Sequence, residues 1–338
     1  MSSFIARICS PLLALLSAIG RQGTRALVAL VVIGIACPPL GAVLKPHVTP
    51  AIFILLCLSF MRLDVAALRS HLRRPGLVVA ATLWTVLVVP LAVGLSSSAV
   101  GLPAFAPGLH LGLMLQSVAS PMMAAPALAA LMGLDATLVL ITLVTSTALV
   151  PFTAPLFAAV FFGGMLDLSP QALGLKLGAI LVGAILVAMV LRRLIGATRI
   201  ARHKAPIDGI NIVVLLVFVS GVMENVGVAT LHDPLGVSAM TLLAFAVFAL
   251  MLAATIIVFR GMGAAVALAL ALMVCQRNMG LMLAATDGVL PSSTWLYFAL
   301  SQLPIYLSPL LLRPLARRLA AAPAAECAPA AAVEVTRS

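Results

Sequence analysis

The amino-acid sequence predicts an all-α membrane protein with ten transmembrane helices in two inverted five-helix repeats. Helices four and nine are expected to be broken and to cross near the bilayer midplane. Three observations carry this expectation. The composition suits lipid as solvent, apolar runs of spanning length recur along the chain, and helix-breaking residues fall at matching places in its two halves.

Of 338 residues, 63% are hydrophobic and 9% charged, and the mean hydropathy is +1.24. That is too little polar content to coat a soluble globule. A net charge of +11 raises nucleic acid as a partner, but the basic residues stand in short clusters between apolar runs, almost without aromatic neighbours. This pattern reports membrane topology, and no nucleic-acid partner is expected. Cys9, Cys37, Cys57, Cys275 and Cys327 lack CxxC spacing or a histidine at zinc-ligand distance. They read as reduced packing residues, with no metal site or cofactor.

Apolar runs place spans near Thr24–Leu44, Pro50–Met61, Pro75–Val93, Leu109–Met132, Ala136–Phe162, Ala172–Val190, Asn211–Val226, Val237–Phe259, Gly263–Ala284 and Trp295–Leu312. Alternating the loops between these ten spans puts 17 of the 20 Lys and Arg residues on one face, among them Arg62, Arg69, Arg192, Arg199, Lys204, Arg260 and Arg313. Lys45 and Lys176 fall on the other face, and Arg277 lies inside a span. Positive charge stays on the cytoplasmic side, so both termini are expected in the cytoplasm of a protein of the inner (plasma) membrane. Residues 1–23 read as an interfacial amphipathic helix, 24–318 as the transmembrane domain, and 319–338, low-complexity Ala/Pro, as a disordered tail. The segment RLDVAALRSHLRRP reads as a basic amphipathic connector held at the surface by anionic membrane lipid.

Repeat one is expected over about 24–163 and repeat two over about 171–318. Pro126 is followed by Asp135 after 9 residues and Pro151 after 25, and Asn278 by Asp287 after 9 and Pro304 after 26. Five spans per half is an odd number, so the second half enters from the opposite side. Inverted repeats with interrupted helices point to alternating access.

Span four carries SVASPMMAAP, where Pro121 and Pro126 each remove a backbone donor. Freed carbonyls there must face protein or a cavity, and Gln116, Ser117 and Ser120 add polar groups at the same depth. Span nine carries CQRNMG: Gln276, Arg277 and Asn278 precede Gly280 in an otherwise apolar helix. An arginine at mid-depth costs about 2.5–3.5 kcal/mol on insertion scales, so Arg277 needs a cavity, a carboxylate, carbonyl groups or an anionic substrate. Gln116, Ser117, Ser120, Gln276, Arg277 and Asn278 are the expected substrate-binding residues, and Pro121, Pro126 and Gly280 the crossover positions. Glu224 is the obvious intramembrane acid, although it and His110 are expected near aqueous ends of their helices. No HExxH, GxSxG or P-loop pattern is present, and no catalytic residue is expected.

Taken together, FMRLDVAALRSHLRRP followed by VVPLAV, the stretch from SPMMAAP through TSTALVPFTAP, and CQRNMGLMLAA before the final span resemble the bile acid:sodium symporter family. The likeness covers most of residues 24–318. It implies a panel domain and a core domain, with spans four and nine crossing at their unwound points. The sequence departs from the family's pattern at the sodium sites. Ala125, Pro126 or Ala127 stands where sodium-coupled members have Ser and Asn, Met273 stands at a glutamate position and Arg277 at a glutamine position, while Asn278 and Gly280 match. The expectation is therefore a secondary transporter taking up a small organic anion, sodium-independent, with the Arg277 guanidinium in place of a sodium charge. An arsenite-type or drug efflux carrier and a non-transporting membrane sensor are the alternatives; the cysteine expected of the arsenite branch is absent from the first crossover.

Overall fold

The computed structural model describes residues 13–21, 24–63, 75–287 and 290–321. In lipid every backbone N–H and C=O needs a partner inside the protein, and a helix supplies it locally. The apolar runs accordingly form helices, and no strand occurs among the described residues. In chain order these are α1 (13–20), α2 (Thr24–Ala36), α3 (Pro38–Leu44), α4 (Val48–Met61), α5 (Pro75–Ala99), α6 (Leu102–Phe105), α7 (Pro107–Val118), α8 (Ala125–Leu131), α9 (Ala136–Phe161), α10 (Pro170–Ile195), α11 (Ala197–Arg202), α12 (Lys204–Met223), α13 (Val226–His232), α14 (Pro234–Phe259), α15 (Ala264–Cys275), α16 (Met279–Ala285) and α17 (Ser292–Ala321).

Their ends are written locally. The Asp135 carboxylate accepts from the Thr137 and Leu138 amides at the start of α9. Ser169 and Asp233 cap α10 and α14 in the same way, each followed by a proline that has no N–H to leave unpaired.

Seven helical runs among the described residues are long and apolar enough to cross a membrane: Pro38–Met61, Pro75–Ala99, Ala136–Phe161, Pro170–Ile195, Lys204–His232, Pro234–Met262 and Ser292–Ala316. Their outward faces are apolar. On α14, Leu235, Leu242, Leu250 and Ile257 recur every seven or eight residues and are each more than 60% exposed, a stripe suited to lipid. The chain is an α-helical multi-pass membrane protein. Outside these seven runs stand α2, of 13 residues, and the two interrupted pairs α7–α8 and α15–α16.

The helix of the first expected span, α2, ends at Ala36, eight residues short of the expected Leu44. Cys37 precedes Pro38 and leaves the helical region, with φ −125° and ψ 69°, because the proline ring crowds that conformation. A Cβ on Gly34 would touch Ser220 and Met223, one on Gly41 Ser220 and Glu224, and one on Gly221 Lys45 and Val48. Residues 34–48 thus turn at one end of α12, while Arg62 at the foot of α4 pairs with Asp208 near the other end. At the far end of the chain, α17 continues to Ala321, into the expected tail. Residues 322–338, residues 1–12 and the basic connector at 64–74 lie outside the described residues.

The helices pack in two groups. In one, α2, α3 and α4 surround α12, with α10 against α4; in the other, α5, α7, α8, α9, α14, α15 and α17 pack together. The groups meet where α9 lies on α10 and where α16 lies on α4 and α10.

Candidate functional site

The two interruptions meet. After α7 the backbone leaves the helix at Ala119 (φ −62°, ψ 146°). After α15 an inverse γ-turn forms at Gln276 (φ −82°, ψ 78°), with the Arg277 amide donating to the Cys275 carbonyl. The unwound segments then pair antiparallel at Pro121 and Arg277. The Met122 amide donates to the Gln276 carbonyl at 2.6 Å and the Asn278 amide to the Ser120 carbonyl at 2.7 Å. Each broken helix supplies the other with partners that its own turns have lost. The flanking half-helices match in length, α7 and α15 having 12 residues each and α8 and α16 having 7 each.

Arg277 is 2% exposed. Its Nη1 donates to the Ala119 carbonyl at 2.9 Å and the Thr85 carbonyl at 3.3 Å, and both acceptors are free for local reasons. Ala119 ends α7 in extended backbone. Thr85 sits in a π-helical turn, Trp84–Val88, where the Val89 amide bonds the Trp84 carbonyl instead of that of Thr85, and the next candidate donor is Pro90, which has no N–H. The proline of VVPLAV therefore frees an acceptor for an arginine far away in sequence. Arg277 Nε and Nη2 have no partner among the described residues. Glu224 does not serve Arg277; it pairs with Lys45 at 2.6 Å, and that ammonium also lies 5.5 Å from the Trp295 ring centre.

The other expected site residues are mostly held by protein. The Gln276 amide donates to the Ile305 carbonyl at 3.0 Å and to Ser308 Oγ; Ile305 lost its helical donor to Pro309. Gln116 Oε1 accepts from the Tyr297 hydroxyl at 2.5 Å, and Ser117 Oγ donates to its own helix at Met114. Asn278, half-buried, caps α16 by accepting from the Leu281 amide. Ser120 Oγ has no partner among the described residues. Pro121 stands in the crossing itself, whereas Pro126 lies in the first turn of α8 and opens the second half-helix. Gly280 lies in the first turn of α16, where a Cβ would sit 3.4 Å from Ile52. The crossing tolerates a side chain there.

A sodium ion does not fit the departures noted in the sequence. Met273 is fully buried among apolar side chains and offers no oxygen, and at the other position the Arg277 guanidinium already occupies the Thr85 and Ala119 carbonyls.

Several residues of the region escaped sequence reading. Thr142, Ser146 and Thr147 are buried on α9 with hydroxyls that have no partner among the described residues, yet in the sequence they look like ordinary helix hydroxyls. Gly108 and Gly112 form a GxxxG step that brings α7 against α17; a Cβ on Gly112 would lie 2.8 Å from the Tyr297 ring. His110 is not solvated as expected but fully buried, because it faces the end of α9 rather than the aqueous rim. A hollow of about 350 Å³ lined by Arg62, Arg192 and Lys204 lies away from the crossing, at the foot of α4.

Comparison with known proteins returns no matching family model and no curated protein that matches in sequence. Fold and site therefore define a class: a multi-pass helical membrane protein with two interrupted helices crossing in its interior around a buried arginine.

Proposed function

We propose that this protein is a secondary active transporter of a small organic anion, built as ten spans in two inverted five-helix repeats and similar to bile acid:sodium symporters. The group around α12 is the panel and the group holding the crossing is the core. In this reading the Arg62–Arg192–Lys204 end, with its basic residues, and both termini face the cytoplasm, the side on which positive charge is retained.

The observation that carries the reading is the state of Arg277. Its Nη1 is taken by two orphan carbonyls, so the guanidinium is held in place, while Nε and Nη2 form the side-on fork that matches two carboxylate oxygens. A permanent cation held at the crossing of two broken helices, with no acid paired to it among the described residues, calls for an anion. In this conformation the arginine is sealed from solvent, and movement of the panel against the core would open it to one side and then the other. The positive charge at the sodium position makes transport sodium-independent.

A thermal-shift screen of the purified protein against small organic anions, in sodium and in choline, tests this, followed by uptake of each hit into proteoliposomes. Anion-dependent stabilisation and uptake are expected equally in both salts, and both are expected to be lost in Arg277→Gln. Uptake that requires sodium, or that is unchanged in the variant, overturns the reading.

A further inference from the structure

His110 is a buried titratable side chain that the crossing does not use. It lies in the first turn of α7 and is fully buried, about 13 Å along the helix from Ala119 at 1.5 Å per residue. Its Nε2 is 2.9 Å from the Phe161 carbonyl. A carbonyl can only accept, so Nε2 carries the proton and Nδ1 is left as a bare lone pair. Nδ1 has no partner among the described residues.

Phe161 is the last residue of the 26-residue α9, and its carbonyl is one of those that end a helix without a donor from the helix itself. Among the described residues, the helices packed on α7 bring no acid to the ring. Segment 89–99 of α5, α6, α9 and α16 contain no titratable residue, and α17 presents Tyr297, whose hydroxyl is committed to Gln116. The other titratable residues of α17, Tyr306, Arg313, Arg317 and Arg318, lie further along it toward the opposite end.

We propose that His110 is a proton-binding site, with Nδ1 the atom that takes the proton. The packed conformation holds the neutral ring, and protonation loosens the packing of α7 so that water or an anion reaches the new N–H. The proton then replaces sodium as the ion coupled to opening. That consequence rests on the transport reading; the protonation does not.

Hydrogen–deuterium exchange of the full chain in lipid nanodiscs, at pH 5.5 and 7.5 and corrected for intrinsic rates, tests the proposal. In the wild type, amides of 108–118 are expected to exchange at least about tenfold faster at pH 5.5. In His110→Gln, whose amide still donates to the Phe161 carbonyl but takes no proton, the pH difference is expected to vanish. Equal protection of the wild type at both pH values overturns the proposal without any variant, as does a pH response that survives in His110→Gln. No transported solute enters the experiment, so its failure leaves the transport reading standing, and the reverse holds.

Discussion

The Arg277 guanidinium depends on atoms that no side-chain motif announces. Its acceptors are main-chain oxygens, freed by extended backbone at Ala119 and by a π-turn before Pro90. A similar economy holds at Gly112, where the missing Cβ lets the Tyr297 ring approach and places its hydroxyl on Gln116. Gly112→Ala is expected to destabilise the protein by about 1–3 kcal/mol, the usual cost of overpacking a close contact. Gly280→Ala, with 3.4 Å to its nearest neighbour, is expected to change stability by less than about 1 kcal/mol. Chemical unfolding of both variants in detergent checks the contrast, and equal losses would contradict it.

At the scale of elements, prolines act by orphaning carbonyls four residues back, and the structure pairs these again across helices. In α17, Pro309 deprives the Ile305 carbonyl of its helical donor, and Ser308 Oγ from the same helix and the Gln276 side-chain amide from the crossing take its place. Gln276→Leu removes one of the two donors on that buried carbonyl, Ser308 Oγ remaining as the other, and is expected to cost about 1 kcal/mol. Adding Pro309→Ala restores an N–H one turn away and is expected to recover most of the loss. Purely additive effects in a double-mutant cycle would count against the pairing.

For the whole molecule, charge is sorted between the two ends of the bundle. Arg62 with Asp208, and Arg192, Arg199 and Lys204, occupy one end, while Lys45 with Glu224 and Lys176 with Asp287 occupy the other. Leu231 on α13, 86% exposed, reports on the second end. In a cysteine-free background, Leu231→Cys is expected to react with an impermeant maleimide added to intact cells, and Arg199→Cys only after permeabilisation. Labelling of both from the same side would refute the proposed orientation.

The sequence alone determined that this chain lives in lipid, where its apolar runs lie, and that its helices break at Pro121 and at Gln276–Asn278. Composition and helix-breaking residues act locally, and so they are legible one window at a time. Pro121 and the run Gln276–Arg277–Asn278 marked both breaks for this reason. What those polar residues touch was decided only by the tertiary structure. It turned Gln276 and Gln116 toward α17, sent Glu224 to Lys45, buried His110 at the end of α9 and set Arg277 on two backbone oxygens. A main-chain carbonyl carries no sequence identity, and whether one is free depends on the turn around it and on which helix lies opposite. The partner of a buried polar group therefore becomes legible only once the helices are packed.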